Sequence, residues 1–187
     1  ESAITPERRR HQAASPLSLD AFLDPLQASR PMTGAFPDSS TRTHEIVLRH
    51  GPDAPDVSVI IPTFNRERYL HEAVGSAIAQ GGHHRVEVVV VDDGSSDGSV
   101  DAAISATRAA TGALVIRQAN AGPSAARNAG IRHARGRFLS FLDSDDRLVG
   151  DKINRQIGLL TRDPSAGMCV GRWGWYDEHF ERLLAAF

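Results

Sequence analysis

The stretch VSVIIPTFN at residues 57–65 decides the fold of this chain. Its first five residues are mostly β-branched and apolar, which is typical of a strand buried on both faces of a parallel sheet. Pro62 is predicted to end this strand, because proline cannot donate a hydrogen bond to a neighbouring strand. Polar residues follow at the carboxyl end of the strand, which is where open parallel sheets hold their ligands.

The chain downstream of this stretch alternates between strand and helix patterns. Apolar runs predict further strands at 86–91, 113–116 and 138–142. Helical spacing and capping residues predict helices around 70–78, after Ser95, Ser96 and Asp97, and at 124–134 and 152–160. The predicted fold class is therefore α/β, with a parallel-rich central sheet that carries helices on both faces.

A further strand is an open alternative near the carboxyl terminus, at 168–170 and 173–176. We expect Trp173, Trp175 and Tyr176 to pack on a strand face. Aromatic side chains at the rim of a cleft can instead stack on sugars, so both interpretations stay open at this point.

Composition excludes several classes of protein. The 187 residues carry 21 Lys and Arg against 23 Asp and Glu, a net charge of −2, so a nucleic-acid partner is not expected. Hydrophobic residues make up 41 % of the chain, which argues against wholesale disorder. Cys169 is the only cysteine, so a disulfide framework within the chain is ruled out.

Residues 1–55 differ in composition from the rest and are predicted to be a Pro-rich arm or linker, partly ordered at best. Seven of the ten prolines lie there. Two apolar islands interrupt the arm: 17–23, where a single helical turn is one alternative, and 46–48, where an edge strand is another. Residues 56–187 are predicted to form one domain.

The lengths of the apolar runs indicate where in the cell the protein is located. The longest of them, such as 88–91, fall far short of the ~20 residues that span a bilayer, so no transmembrane segment is expected. Arg8, Arg9 and Arg10 are followed by no apolar stretch, which argues against a signal peptide. We expect a cytoplasmic protein, either free or peripheral at the membrane.

Acidic clusters follow two of the predicted strands. Parallel strands would bring five carboxylates to one edge of the sheet: Asp92, Asp93, Asp143, Asp145 and Asp146. Two like charges ~4 Å apart repel by about 4 kcal/mol at an effective dielectric constant of ~20. Such an edge needs a cation, bound protons or wide spacing.

The triplet Asp143-Ser144-Asp145 is the candidate metal site. Residues two apart in an extended segment point to the same side, so Asp143 and Asp145 can share one ion. Carboxylate oxygens suit Mg²⁺ or Mn²⁺, both of which keep positions open for phosphate oxygens. The alternative is that Asp145 or Asp146 only caps the following helix.

Two other segments have both a structural and a functional interpretation. Asp92-Asp93-Gly94-Ser95 is either a turn before a capped helix or a site whose carboxylate accepts the imide N–H of uracil. The segment 120–128, NAGPSAARN, is either a tight turn before a helix or an anion site at the helix amino terminus. Arg127 in that segment could be a phosphate partner or could support the acidic edge.

Four motifs in this order resemble those of family 2 glycosyltransferases. They are VSVIIPTFN at 57–65, VVVVDDGS at 88–95, NAGPSAARNAG at 120–130 and FLSFLDSDD at 138–146. The resemblance covers roughly residues 56–183. It implies a GT-A fold, a Rossmann-like nucleotide-diphospho-sugar transferase fold, and transfer of a sugar with inversion at its anomeric carbon.

The resemblance also implies roles for single residues. Pro62, Thr63 and Asn65 would border the nucleotide base, Asp92 would contact uracil, and Asp93 would support Asp92. Asp143 and Asp145 would bind Mn²⁺ or Mg²⁺, with Asp145 the more direct ligand and Ser144 near the ribose. A UDP-sugar is the expected donor, and a saccharide, lipid or protein hydroxyl is the acceptor.

The general base is where the sequence departs from the family pattern. The resemblance implies an acidic motif well after Asp145, and we expect it beyond Phe187. Asp177 and Glu178 are interpreted as part of a turn. Residues 56–187 are therefore expected to form a GT-A nucleotide-sugar-binding domain, the donor-binding half of a transferase, without the acceptor-binding half.

Two other functions are alternatives to a glycosyltransferase. A non-catalytic nucleotide-sugar-binding module is favoured by the missing base and disfavoured by the crowded carboxylates. A phosphotransfer domain would need a Lys after a later strand. The only lysine is Lys152, which directly follows the acidic loop formed by residues 143–146.

Overall fold

A computed structural model describes residues 44–51, 54–176 and 183–186, all of which belong to the unit Ser40–Phe187. The strands are β1 Glu45–His50, β2 Val57–Thr63, β3 Val86–Asp92, β4 Gly112–Arg117, β5 Phe138–Phe141, β6 Gly174–Tyr176 and β7 Leu183–Ala186. The helices are α1 Glu67–Ile78, α2 Ser99–Thr107, α3 Pro123–His133 and α4 Lys152–Arg162.

Five strands form the main sheet, in the order β1-β4-β3-β2-β5. The pairs β4-β3, β3-β2 and β2-β5 are parallel, and β1 is antiparallel to β4 at one edge. This arrangement confirms the predicted parallel-rich α/β class. The island at 46–48 is part of the edge strand β1, although it lies within the predicted arm, whereas the island at 17–23 and the rest of residues 1–43 lie outside the described residues.

Strand β2 continues through Pro62 to Thr63, so the prediction that Pro62 ends it was wrong. The Ile60 carbonyl accepts from Leu142 N, on the β5 side, and the Thr63 carbonyl accepts from Asp93 N, on the β3 side. Alternation along the strand therefore turns Pro62 toward β5. That neighbour ends at Phe141, opposite Ile60, so its last pairing precedes the position where Pro62 would have to donate.

Apolar side chains cover both faces of the sheet. One face packs Val59 and Ile61 against Leu70 and Val74 of α1, with residues of α2 and α4 in the same cluster. The other face packs Ile60 and Val91 against small residues of α3, Ala126 and Ala129. The predicted helices on both faces are confirmed, and small residues bring α3 close to the sheet.

Glu87 is the one acidic residue in the middle of an otherwise apolar β3, and its side chain is buried. It accepts from Ser58 Oγ at 2.6 Å and from Arg135 N at 3.0 Å, and its Oε1 lies 3.4 Å from Arg135 Nε. A buried carboxylate is stable when it is paired and hydrogen-bonded in this way. This network fixes the start of β5 at the amino ends of the strands.

The carboxyl-terminal aromatic residues differ from expectation. Strand β6 pairs with β7 in a separate two-stranded sheet, and 168–170 is not a strand. Trp173 and Trp175 are 57 % and 61 % exposed, so the expectation that they are packed on a strand face was wrong. They contact each other edge to face, with ring centroids 5.9 Å apart.

The close packing of α3 on the sheet is predicted to depend on the absence of a side chain at Gly130. A Cβ there would collide with Ile60 Cγ2, a buried side chain of β2. Gly130→Ala should lower the free energy of unfolding by about 1–3 kcal/mol because the helix must move off the sheet. Urea denaturation measures this change.

Gly158→Ala in α4 is the matched control, since a Cβ there meets no atom within 4 Å. It should raise the free energy of unfolding by about 0.5–1 kcal/mol through helix propensity alone. Equal effects of the two substitutions would contradict the close approach of α3 to the sheet.

Candidate functional site

A cavity of about 470 Å³ opens at the carboxyl edge of the sheet; we call it the edge cavity. Segments that follow β2, β3, β4 and β5 build it. Its lining residues are Pro62, Thr63, Phe64, Arg66, Asp93, Asn120, Gly122, Pro123, Ala126, Arg127, Asp143, Ser144 and Asp145.

Most of the site residues predicted from sequence meet in this lining. They are Pro62, Thr63, Asp93, Arg127, Asp143, Ser144 and Asp145. Asn65 and Asp92 lie outside it. The parallel strands thus collect residues that lie up to 83 positions apart in the sequence, from Pro62 to Asp145.

Asp93 forms part of the cavity wall and holds the neighbouring turn in place. Its Oδ1 accepts from Gln118 Nε2 at 2.6 Å and from Ala121 N at 2.9 Å, and its Oδ2 accepts from Gly122 N at 2.7 Å. Gly122 has φ 88°, a conformation that favours glycine, and it is the N-cap residue of α3. Asp93 therefore fixes the start of α3, the helix that carries Arg127.

Asp92 is fully buried behind this wall. Its Oδ2 accepts from Ser95 N at 3.2 Å and lies 3.6 Å from Arg117 Nε. Its Oδ1 is buried without a hydrogen-bond partner among the described residues. The two consecutive aspartates thus point to different surroundings, and only Asp93 reaches the edge cavity.

Arginines pair with the two carboxylates of the Asp143-Ser144-Asp145 triplet. Arg127 Nη2 donates to Asp143 Oδ1 at 2.5 Å, and Arg66 Nε lies 3.7 Å from Asp145 Oδ2. Both aspartate side chains are about half exposed, at 53 % and 51 %. Arg127 therefore does support the acidic edge, one of the two roles that the sequence left open.

Asp146 is the member of the acidic cluster whose electrostatic surroundings are least favourable. Burial raises the pKa of Asp146, and the nearby charges of Asp145 and Asp143 raise it further. Its backbone N–H donates to the Asp143 carbonyl at 3.0 Å, which closes the turn of the acidic loop. The carboxylates at this edge therefore do repel one another, as the sequence predicted.

Helix α1 anchors the chain directly after the acidic loop. Leu148 N donates to Ser76 Oγ at 3.0 Å, and Ile153 N donates to Gln80 Oε1 at 3.1 Å. Arg147 forms an ion pair with Glu72. These contacts tie the acidic loop to the core cluster, which contains residues of both α1 and α4.

Asn65 has a positive φ of 52° and joins two loops instead of lining the cavity. Its backbone N donates to Ser95 Oγ at 2.9 Å, and its Oδ1 accepts from Ser96 N at 2.9 Å. Asparagine tolerates this backbone conformation better than most residues. The loop after β2 is thereby tied to the loop after β3, and Phe64 and Arg66 are set in the cavity wall.

Asp97 caps two helices at once. It accepts from Glu67 N at the start of α1, at 3.3 Å, and from Ser99 N at the start of α2, at 3.0 Å. Glu67 in return accepts from Gly98 N at 3.1 Å. Helix α2 begins at Ser99 with Gly98 as N-cap, so of the three predicted capping residues only Asp97 reaches an α2 amide with its side chain.

Sequence reasoning did not assign six residues of the lining: Phe64, Arg66, Asn120, Gly122, Pro123 and Ala126. All of them lie within seven residues of a predicted site residue in the sequence, and four belong to the segment 120–128, which was interpreted as a turn or anion site. The signal for Arg66 was its position at a strand end opposite the acidic triplet. Its pairing with Asp145 needed the sheet register.

The donor set suits a hard divalent cation whose coordination is completed by a ligand. Mg²⁺ is often held by one or two carboxylates together with substrate phosphates. Asp143 and Asp145 provide these carboxylates on the cavity wall. Within residues 44–51, 54–176 and 183–186, no group of three or more His, Cys, Asp and Glu side chains is arranged to hold a metal ion.

Fold and cavity together define an α/β protein with an acidic, arginine-lined ligand cleft at the carboxyl edge of a parallel sheet. The family described as glycosyl transferase family 2 matches residues 58–186 of the chain. The chain belongs to this family, and the resemblance inferred from the four motifs is confirmed.

Curated relatives agree with the family. The chain is 34 % identical over 110 residues to an uncharacterized glycosyltransferase of Haemophilus influenzae, covering 58 % of this chain and 44 % of the relative. It is 39 % identical over 122 residues to the glycosyltransferase GlyA of Streptococcus pneumoniae, covering 65 % and 17 %. The chain thus spans less than half the length of these relatives.

Solved structures agree on the GT-A fold. TarS of S. aureus, solved in complex with UDP-GlcNAc, matches with TM-score 0.52 and 31 % identity, over 57 % of this chain and 31 % of that chain. The mannosyltransferase PcManGT of Pyrobaculum calidifontis, solved with GDP-Man and Mn²⁺, matches with TM-score 0.54 and 28 % identity, over 64 % and 34 %.

The helices were also compared with the dimensions of a bilayer. In the described part of the chain, no helix is both long and apolar enough to cross a membrane.

Asp97 is predicted to stabilise the fold by capping α1 and α2. Burial raises its pKa, but the hydrogen bonds from Ser99 Oγ and from the Ser99 and Glu67 amides outweigh that effect and lower the pKa below 3.8. Asp97→Ala should lower the free energy of unfolding at pH 7 by about 1 kcal/mol. Urea denaturation at several pH values measures the effect.

The stabilisation by Asp97 should be complete above pH 3.8 and should fade as the pH falls through the lowered pKa. Glu45→Gln, on the exposed edge strand β1, is the control and should leave stability nearly unchanged. A difference between wild type and Asp97→Ala that stays constant down to pH 2 would contradict the capping role of the charge.

Proposed function

We propose that the chain is the donor-binding part of a nucleotide-sugar-dependent glycosyltransferase. One observation carries the proposal: Asp93, Arg127, Asp143 and Asp145, from three strand ends, converge on one cavity of about 470 Å³. Carboxylates for a divalent cation and guanidinium groups for phosphate are the functional groups that a nucleoside diphosphate requires. A UDP-sugar is the proposed donor.

Two solved relatives support the class of donor. TarS was solved with UDP-GlcNAc and PcManGT with GDP-Man, and both match this chain at the GT-A fold. A uridine donor is proposed for this chain because a carboxylate in the wall can accept the imide N–H of uracil.

The base-binding role is proposed for Asp93 in place of Asp92. Asp93 lines the edge cavity, whereas Asp92 is fully buried and paired with Arg117. Pro62 and Thr63 are proposed to border the base from β2, and Ser144 to lie near the ribose, since all three line the same cavity. Asn65 would act by holding the loops that carry these residues.

Asp143 and Asp145 are proposed to hold Mn²⁺ or Mg²⁺. A divalent cation there would neutralise the negative charge that develops on the departing nucleoside diphosphate. Each carboxylate contacts an arginine through one oxygen, Oδ1 of Asp143 and Oδ2 of Asp145, so its other oxygen could bind a cation while Arg127 and Arg66 stay in place. The two guanidinium groups in the cavity wall could then donate hydrogen bonds to phosphate oxygens.

Inversion at the sugar carbon is proposed from the family resemblance. It needs a general base on the face opposite the leaving group, to accept the proton of the acceptor hydroxyl.

Titration calorimetry with UDP, with Mn²⁺ or with EDTA, tests the donor site. We expect the wild-type chain to bind UDP at least tenfold more tightly with Mn²⁺, because the cation joins the diphosphate to Asp143 and Asp145. Asp145→Ala should lose this metal-dependent gain and keep the weak binding seen with EDTA.

Asp101→Ala is the control for loss of one carboxylate, since Asp101 is exposed on α2 and lies outside the cavity lining. It should bind UDP like wild type. A folded wild-type chain that binds no UDP, or an Asp145→Ala variant with an unchanged response to Mn²⁺, would overturn the proposal.

A further inference from the structure

A second cavity, of about 430 Å³, adjoins the edge cavity and shares Arg127 and Asp143 with it. We call it the tryptophan cavity, because Trp173 and Trp175 form part of its lining. The shared residues belong to the proposed diphosphate and metal site. A molecule bound in the tryptophan cavity would therefore lie next to the donor.

The lining of the tryptophan cavity is cationic. It contains Arg127, Arg147, Lys152 and Arg172 against two carboxylates, Asp143 and Asp146. Arg127 pairs with Asp143, and Arg147 pairs with Glu72. Among the described residues, neither Lys152 nor Arg172 forms an ion pair. Lys152 is near enough to Asp146 to lower the pKa of that carboxyl, but it forms no ion pair with it, so Lys152 and Arg172 can both contact an anionic group.

Lys152 adds its charge to that of a helix amino terminus, and Asp146 is a nearby carboxylate whose pKa it lowers. Lys152 is the first residue of α4, an 11-residue helix with no acidic residue in its first turn. The amino terminus of a helix carries a partial positive charge, so a lysine there is repelled unless an anion is near. Together, Lys152 and the helix terminus concentrate positive charge on one side of the cavity.

The two tryptophans supply the opposite kind of surface. More than half of each side chain is exposed, and the rings meet at an interplanar angle of 72°. Large aromatic side chains left exposed at a cavity mark binding surfaces. An aromatic face suits the apolar C–H face of a sugar ring, which leaves the hydroxyl groups of the sugar to solvent and polar side chains.

We propose that the tryptophan cavity binds the acceptor, and that the acceptor is a saccharide bearing an anionic group. The sugar ring lies against Trp173 and Trp175, and the anionic group, a phosphate or a carboxylate, lies between Lys152 and Arg172. The assignment as acceptor rests on the proposed donor site in the adjoining cavity. The affinity for an anionic saccharide rests only on the lining residues.

Intrinsic fluorescence offers a selective measurement, because Trp173 and Trp175 are the only tryptophans in the chain. The probes are glucose 1-phosphate, glucuronic acid, methyl glucoside and inorganic phosphate, titrated at constant ionic strength. We expect glucose 1-phosphate or glucuronic acid to change the tryptophan emission with a Kd at least tenfold lower than methyl glucoside or inorganic phosphate gives. Which of the two anionic sugars binds identifies the anionic group.

Variants connect the signal to the lining residues. Lys152→Gln and Arg172→Gln should each raise the Kd for the anionic sugar about tenfold, because each removes a charge-assisted hydrogen bond. Lys152→Arg should retain most of the affinity. Arg162→Gln, at the far end of α4 and outside the lining, removes the same charge and should change nothing.

Several results would overturn the proposal. These are no change in emission with either anionic sugar, a Kd for methyl glucoside or inorganic phosphate equal to that for the anionic sugar, or equal effects of Lys152→Gln and Arg162→Gln. UDP titration separates this outcome from failure of the proposed function. A chain that binds UDP but no anionic sugar loses only this inference, whereas one that binds the sugar but no UDP loses the donor site and the acceptor role, and keeps the saccharide site.

Discussion

The parallel register of β3, β2 and β5 is the constraint on which the rest of the site depends. It places Asp92 opposite Thr63 and Phe141 opposite Ile60, so that three chain segments leave the sheet at one edge. The acidic residues of two of these segments must then share a small region. Two such charges ~4 Å apart repel by about 4 kcal/mol in a partly buried site. The fold offsets this repulsion with Arg127 on Asp143, Arg66 on Asp145 and backbone amides on Asp93.

These contacts tie the site to the scaffold. Asp97 and Asn65 join the loop after β2 to the loop after β3, and Ser76 and Gln80 of α1 hold the chain after the acidic loop. Each loop that lines the edge cavity is therefore braced by a hydrogen bond to a different element. A site fixed in advance loses less conformational entropy when a ligand binds. Arg127 and Asp143, which line both cavities, are the side chains through which the two sites can influence each other.

Sequence patterns were sufficient for the four parallel strands, the four helices and the clustering of most predicted site residues, because period and strand-end chemistry are local properties. They could not separate Asp92 from Asp93. Adjacent residues at a strand end face opposite directions, and the choice between core and cavity depends on strand register and on the distant residues Arg117 and Gln118. The pairing of Arg66 with Asp145 spans 79 positions, so no local pattern contains it. The packing of Trp175 was mispredicted for a related reason: its strand belongs to a small separate sheet, and Trp175 is not a member of the core cluster between the main sheet and its helices.

The central claim is that the edge cavity holds a nucleoside diphosphate together with a divalent cation at Asp143 and Asp145. Crystals grown with UDP and Mn²⁺, measured for the anomalous scattering of manganese, test it most directly. We expect one strong anomalous peak in contact with a carboxylate of Asp143 or Asp145 and with the diphosphate. A diphosphate bound elsewhere, or bound in the cavity with no manganese beside Asp143 and Asp145, would contradict the proposed site.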